Sequence, residues 1–236
     1  MNSASSPDTT PPQNSEIEPA EPAPYKPPRN AEWLFARLVT GILHPLIMPT
    51  LGMFLIFQFN SFITNGISTD MALRLFGWVF LNTFIVPVLV ALYMLRTGMI
   101  STIHIVNREE RWFPYILTGA FYFFTYYMLF ARFGLHQALV SIMFGASVAV
   151  VVSFVVNFKH KVSIHMVGIS GLVGAMFAVD VHYGVPVTPV LILFVFLTGL
   201  VGSSRLFLKA HQPKEVFLGF LVGFSCEFLA VLLEWG

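Results

Sequence analysis

The chain has 236 residues, of which 56% are hydrophobic and 11% charged, with a net charge of +1 and a mean hydropathy of +0.75. A soluble globular domain carries about 25% charged residues, so most of the surface of this protein does not face water. The near-zero net charge excludes a basic field for nucleic acid, and the single cysteine, Cys226, excludes a disulfide framework.

The first 31 residues differ from the rest of the chain. Residues 1–31 are rich in Pro, Ser, Thr and Glu and contain no apolar run. Such a segment cannot bury enough apolar surface to offset its ordering entropy, so we expect a disordered tail. It also lacks the basic start and apolar core of a secretory signal peptide. The sequence therefore predicts a tail over 1–31 and a membrane domain over 32–236.

Seven apolar runs follow the tail, and each approaches the length of about 20 residues that a helix needs to cross a bilayer. Strands of membrane barrels alternate over about ten residues, so runs of this length predict helices. The predicted fold is all-α, a polytopic membrane helix bundle with about seven transmembrane helices and a core of six. The predicted spans are 33–58, 72–95, 113–132, 135–157, 165–182, 187–204 and 216–235.

Prolines and glycines within these spans predict where helices bend and where they pack closely. His44-Pro45 and Pro49 in the first span, and Pro87 in the second, predict kinked or broken helices. For His44 the favoured interpretation is structural, a bond to a backbone carbonyl that the kink frees. Small residues in the fifth span predict close helix packing; they are Gly168, Gly171 and Gly174.

Polar residues sort to one side of the predicted bundle. With seven spans, the N-terminal tail and three loops fall on one side, here called face A; the other loops and the C-terminus fall on face B. Cations and histidines concentrate on face A in three segments: segment one (107–114), segment two (161–165) and segment three (204–215). We expect these segments to meet at one membrane surface.

Segment three carries an Arg, a His and a carboxylate at useful spacing. Glu215 follows His211 by four residues at the start of the last span, so it can reach back to one ring nitrogen. That contact fixes the tautomer and makes the other nitrogen a better nucleophile. Arg205 offers a planar fork that suits phosphate oxygens.

Segments two and one add cations and a second imidazole. Lys161, Ser163 and His165 precede the fifth span, where a hydroxyl and free amides at a helix start form an anion site. Arg108 and Arg111 stand beside the start of the third span. Two histidines among cations suit phosphoryl transfer, and we expect no metal or cofactor because the side chains supply the positive charge. A site at the membrane edge implies a lipid with a phosphate or pyrophosphate head group.

Segment three resembles the third signature of the type 2 phosphatidic acid phosphatase (PAP2) superfamily, which is Ser-Arg, five residues, His, three residues, Asp. Ser204, Arg205 and His211 match it, with Glu215 in place of the Asp. The resemblance covers roughly residues 95–235.

The other two segments resemble the family less closely. Segment two is similar to the second signature, Pro-Ser-Gly-His, at Ser163 and His165. Segment one is a weak match to the first signature through Arg111, with Pro114 two residues late. The gap of about 40 residues between segments two and three, filled by two spans, is also similar to the family.

The resemblance implies an activity and roles for residues. The activity would be a metal-independent lipid phosphate phosphatase in a multi-pass protein of a bacterial inner membrane. His211 would be the nucleophile that forms a phosphohistidine, Glu215 its orienter and His165 the general acid. The implied phosphate-binding residues are Arg205, Ser163 and Arg111, with Lys161 or Arg108 in place of the missing first-signature Lys.

Three alternatives stay open at this point. The phosphohistidine could pass its phosphoryl group to another alcohol, which would make the protein a lipid phosphotransferase. The departures in segments one and two fit a PAP2-like protein that binds lipid without turnover. A transporter would use the intramembrane residues Glu227, Asp180 and His44. For Glu227 alone, packing against a polar partner such as Asn82 is the favoured interpretation.

The orientation of face A is also open. The excess of Lys and Arg on face A predicts that it is cytoplasmic. The resemblance instead implies an extracytoplasmic site in bacterial relatives.

Overall fold

The computed structural model of the protein describes residues 30–59, 62–101 and 112–235. Within these ranges no residue lies in a strand, which confirms the all-α prediction. The helices are α1 (Ala31–Ile42), α2 (Met48–Gln58), α3 (Thr69–Phe80), α4 (Val86–Arg96), α5 (Trp112–Arg132), α6 (Gln137–Asn157), α7 (Ile164–Tyr183), α8 (Thr188–Phe207) and α9 (Pro213–Leu232).

The described helices have the lengths and composition of a multi-pass membrane protein. Six segments are long and apolar enough to cross a bilayer: Ala31–Gln58, Thr69–Arg96 and each of α6 to α9. The 21-residue α5, which carries several tyrosines, is not among these six segments. It runs antiparallel along α6, since the rings of Tyr115 and Phe154 lie 6.0 Å apart and those of Tyr126 and Phe144 lie 5.2 Å apart. The predicted spans match these elements to within about three residues at each end.

Pro45 breaks the first span, as its sequence predicts. A proline ring disfavours helical geometry in the residue before it, and His44 is accordingly extended, with φ −70° and ψ 135°. The chain makes a 3₁₀ turn over Pro45–Ile47 before α2 begins. The Nδ1 atom of His44 accepts a hydrogen bond from the Leu46 N–H at 3.3 Å, so the ring caps this turn through an amide.

The second span is continuous but widened before Pro87. A π turn over Leu81–Ile85 links α3 to α4. Proline has no N–H and its ring clashes with the carbonyl four residues earlier in a regular helix, so the wider turn makes room for it. The Thr83 hydroxyl in this turn donates to the Val79 carbonyl at 2.9 Å and lies 3.5 Å from the Thr50 hydroxyl of α2.

The closest helix pair is α7 with α9, which run parallel. A Cβ atom at Gly223 would lie 2.1 Å from the Val167 carbonyl oxygen, and one at Gly219 would lie 2.6 Å from the Ser163 carbonyl oxygen. On α7, a Cβ atom at Gly174 would meet the carbonyl oxygen of Phe224 at 2.4 Å. The close packing predicted from the fifth-span glycines is confirmed, and it sets the distance between the two backbones.

The carboxylate of Glu234 links α7 and α9 at their face B ends. Oε1 of Glu234, just beyond α9, lies 3.2 Å from Nε2 of His182 and accepts a hydrogen bond from the Tyr183 hydroxyl at 3.1 Å. These two contacts, that of His182 first, lower the pKa of Glu234 below its usual value. The face B ends of α7 and α9 are thus tied together, and their opposite ends carry segments two and three.

Candidate functional site

Segments two and three meet at the face A ends of α7 and α9, as the loop parity predicts. The Ser163 N–H donates to the Glu215 backbone carbonyl at 3.2 Å. The Nζ atom of Lys161 donates to the Ala210 carbonyl at 3.0 Å and lies 4.0 Å from Oε2 of Glu215. These contacts join residues about 50 positions apart and form the floor of a polar site.

The centre of the site is a histidine–carboxylate pair. Nδ1 of His211 lies 2.8 Å from Oε2 of Glu215, the contact that the four-residue spacing predicts. The same oxygen accepts a hydrogen bond from the Gln212 N–H at 3.2 Å, within a capping box at the start of α9. Pro213 opens α9 and so places Glu215 in its first turn, where the helix dipole favours a negative charge. A Glu in place of the PAP2 Asp therefore still reaches the histidine.

The His211 ring is held in its neutral form. Its side chain is only 7% exposed, and burial is the largest cause that lowers the pKa of His211 to about 4. The charges of Arg205 and Lys161 lower this pKa further, whereas the bond to Glu215 opposes them. With Nδ1–H donated to the carboxylate, Nε2 of the neutral ring keeps its lone pair.

His165 lies in the first turn of α7 among other charged and aromatic groups. It interacts electrostatically with Arg205, His44 and His211, and its ring also interacts with the Thr40 backbone carbonyl. The rings of His44 and His165 lie 5.5 Å apart at 77°, an edge-to-face contact. The structure thus places three histidines and an arginine in one cluster at face A.

The sequence favours a structural role for His44, with a role in a transporter as the alternative. The edge-to-face contact with His165 places the His44 ring at the level of the first turn of α7. The next residue packs on the same helix, since a Cβ atom at Gly168 of α7 would lie 2.8 Å from Cα of Pro45. The signal available in the sequence was the His-Pro pair itself, since a residue before proline leaves the helix.

Ser163 is the N-cap residue of α7 and is fully buried. Its hydroxyl makes no capping bond, and its Oγ has no hydrogen-bond partner in the described part of the chain. A buried hydroxyl without a partner costs about 1–3 kcal/mol. The uncapped start of α7 is therefore a site where an anion oxygen would be stabilised.

A cavity of about 520 Å³ opens over the His211–Glu215 pair. Its lining includes Lys161, Leu206, Lys209, His211, Pro213 and Glu215. Lys209 adopts a left-handed backbone with φ 50°. That conformation is uncommon outside glycine, and here it reverses the chain after α8 so that the segment around His211 returns to the cavity.

Some predicted residues lie elsewhere. Arg108 and Arg111 of segment one fall outside the described residues. Asn82, the suggested partner of Glu227, donates to the Trp78 carbonyl at 2.9 Å. In the described ranges, no group of three or more His, Cys, Asp or Glu residues is arranged to hold a metal ion.

Glu227 is buried at a different depth from the site. It lies 12 residues beyond Glu215 on α9, which corresponds to about 18 Å along the helix. A Cβ atom at Gly145 would lie 2.6 Å from Oε2 of Glu227, and one at Gly171 would lie 3.1 Å from its Cγ. Among the described residues its Oε2 has no hydrogen-bond partner. Glu227 and the three-histidine cluster therefore occupy separate places in the bundle.

Comparison of the chain with protein-family models, with curated proteins and with solved structures finds no match in any of the three. We therefore infer function from the geometry of the site and from the resemblance of segments two and three to the PAP2 signatures.

Proposed function

We propose that the protein is a metal-independent lipid phosphate or pyrophosphate phosphatase that acts through a phosphohistidine at the membrane surface. The observation that carries this proposal is the bond of 2.8 Å between Nδ1 of His211 and Glu215. It leaves a neutral imidazole with a free Nε2, within electrostatic reach of Arg205, Lys161 and His165. A nucleophile, an orienting carboxylate, cations and a second imidazole are the groups that a metal-independent route through a phosphohistidine would use.

The reaction runs in two balanced steps. Nε2 of His211 attacks phosphorus, the P–N bond forms, and the bond from phosphorus to the lipid oxygen breaks. His165 gives its proton to the departing oxygen, which leaves as an alcohol, or as a lipid phosphate when the substrate is a pyrophosphate. Water then attacks the phosphohistidine and loses a proton to His165, the P–N bond breaks, and inorganic phosphate is released.

The cations and α7 bind the phosphate in this proposal. Arg205 and Lys161 neutralise the non-bridging oxygens, and Ser163 with the first amides of α7 receives one of them. Arg111 and Arg108 would add charge from segment one. A bound phosphate dianion also favours the protonated form of His165 that a general acid needs.

The place of the site supports a lipid as the substrate. Segments two and three lie at the ends of four candidate membrane spans, α6 to α9. A phosphate carried on a lipid reaches that level without leaving the bilayer. We propose a bacterial inner membrane as the location, with phosphatidate, phosphatidylglycerophosphate, undecaprenyl pyrophosphate and lipid A phosphate as candidate substrates.

The direct test is phosphate release by detergent-purified protein in the presence of EDTA. We expect release from at least one lipid of a panel comprising phosphatidate, phosphatidylglycerophosphate and undecaprenyl pyrophosphate. When a reaction with ³²P-labelled substrate is stopped by denaturation, the protein should carry an acid-labile phosphoryl group. Well-folded protein that releases phosphate from none of the panel would contradict the proposal and favour lipid binding without turnover.

Glu215→Gln is expected to lower kcat by about 10²- to 10⁴-fold while the protein stays folded. The amide keeps the size of the side chain but removes the charge that orients and stabilises the His211 ring. The measurement is steady-state phosphate release, with Glu32→Gln at an exposed glutamate of α1 as the matched control. An unchanged kcat in Glu215→Gln would show that the carboxylate has no catalytic effect.

The pH profile should report the low pKa of His211. Below about pH 4 the ring gains a proton at Nε2 and loses the lone pair that attacks phosphorus. We therefore expect the acid limb of kcat/KM near pH 4, below the value of about 6.5 for an ordinary histidine. Lys161→Gln should move this limb to higher pH, because one of the charges that lower the pKa of His211 is removed. A limb that stays in place in Lys161→Gln would contradict this electrostatic coupling.

A further inference from the structure

An apolar groove runs along the membrane-facing surface between α8 and α9. It has a volume of about 420 Å³, and Met166 of α7 contributes to its wall. The α8 side is formed by Val195, Gly199, Gly202 and Ser203, and the α9 side includes Phe217 and Phe220. Both α8 and α9 pack on α7 and meet each other little, which leaves this space between them.

The groove adjoins the polar cavity. Leu206 and Pro213 line both spaces, so these two side chains stand where the groove meets the site with His211. From Leu206 to Val195 the α8 wall spans 11 residues, which is about 16 Å along the helix axis. The groove therefore leads from the charged site at face A down into the apolar depth of the bundle.

Small residues keep the groove open. Gly199 is exposed, and a Cβ atom built there would meet no atom within 4 Å. Ser203, one turn further along α8, is also exposed. Larger side chains at these positions would project into the space between the helices.

We propose that the groove binds one hydrocarbon chain of the lipid phosphate whose head group occupies the cavity over His211. The substrate then reaches the site laterally, from within the bilayer, between α8 and α9. A single apolar channel ending at a cationic site fits a molecule with a hydrocarbon chain and an anionic head. The inference rests on the proposed function for the head group, whereas chain binding can be measured without turnover.

Substitutions that fill the groove test the inference by kinetics. Gly199→Phe and Ser203→Phe should raise KM for a long-chain phosphatidate about tenfold or more. They should leave kcat/KM for a short-chain, water-soluble phosphatidate unchanged, because its chains need no groove. Gly77→Phe on α3 is the matched control, since Gly77 is also exposed and a Cβ atom there meets no atom within 4 Å. An equal effect on long and short chains, or no effect on either, would overturn the inference.

Photo-crosslinking tests whether the groove binds an acyl chain, independently of catalysis. A phosphatidate with a diazirine in its acyl chain should label peptides of α8 and α9 in the wild-type protein and much less in Gly199→Phe. Excess unlabelled phosphatidate should compete, and diacylglycerol, which lacks the phosphate, should not. Labelling by a protein that releases no phosphate would support the groove and refute the phosphatase. Absent labelling, or equal competition by diacylglycerol as expected for bulk bilayer lipid, would overturn the groove whatever the activity.

Discussion

His211→Ala is expected to abolish phosphate release, with kcat reduced at least about 10³-fold. On the proposed mechanism the substitution removes the atom that attacks phosphorus, and neither the cations nor His165 can replace it. Deleting the ring also leaves Glu215 with its contacts to Lys161 and the Gln212 amide, so the start of α9 should hold. The measurement is single-turnover and steady-state release from the preferred lipid, alongside the thermal midpoint in detergent.

His160→Ala is the matched control, because His160 is an exposed histidine on the same face. It should retain wild-type turnover. His165→Ala should lose about 10²- to 10⁴-fold, the range for a general acid. Full activity in His211→Ala would refute the phosphohistidine mechanism.

Glu227→Gln distinguishes the phosphatase from a transporter. On the phosphatase proposal it should change turnover little, since Glu227 lies about 18 Å along α9 from Glu215. A transporter that uses intramembrane carboxylates would instead be damaged by Glu227→Gln and spared by His211→Ala. The separate depths of Glu227 and of the cluster around His44 favour the first outcome.

The fold was predictable because its determinant is local. Runs of apolar residues with few charges cannot face water, and in a bilayer each must satisfy its backbone hydrogen bonds internally. The ends of the spans were therefore fixed to within about three residues by composition alone. What the break at Pro45 does to the path of the chain depends on what α1 and α2 pack against, and that contact is not local.

In the site, too, the sequence predicts the local contact but not the contacts between distant parts of the chain. The bond between His211 and Glu215 follows from a spacing of four residues at a helix start, so the sequence predicts it. The contact between His44 and His165 joins residues 121 positions apart across a broken helix, and no local pattern specifies it. Lys209 likewise lines the cavity because its backbone is left-handed, a conformation that the sequence does not predict.

The sequence analysis did not predict that glycines of α9 take part in the contact with α7, although their spacing indicates it. Gly219 and Gly223 form a Gly-x-x-x-Gly pair, the arrangement that lets two membrane helices approach closely. The glycines of α7 form one surface of the contact, and those of α9 form the other. The structure shows that both helices contribute small residues.

Gly223→Ala is expected to destabilise the protein by about 1–3 kcal/mol, occasionally more, although alanine is the better helix former. The new methyl group would lie 2.1 Å from the Val167 carbonyl oxygen and 2.4 Å from Oγ of Ser170. A backbone oxygen inside a helix cannot move aside, so α7 and α9 must separate. The measurement is the thermal midpoint in detergent. Gly77→Ala, at a glycine with no atom within 4 Å of an added Cβ, serves as the control and should be neutral or stabilising.

The same substitution should also lower turnover, although Gly223 is eight residues from Glu215, or about 12 Å along α9. The α7–α9 distance sets the position of His165 and Ser163 relative to His211, and a displacement of about 1 Å can cost about 10²-fold in rate. We expect kcat to fall at least about tenfold in the fraction that remains folded. An unchanged midpoint and kcat would mean that the separation of these helices neither stabilises the bundle nor aligns the site. A lowered midpoint with unchanged kcat would mean that the contact between α7 and α9 stabilises the protein but does not align the site.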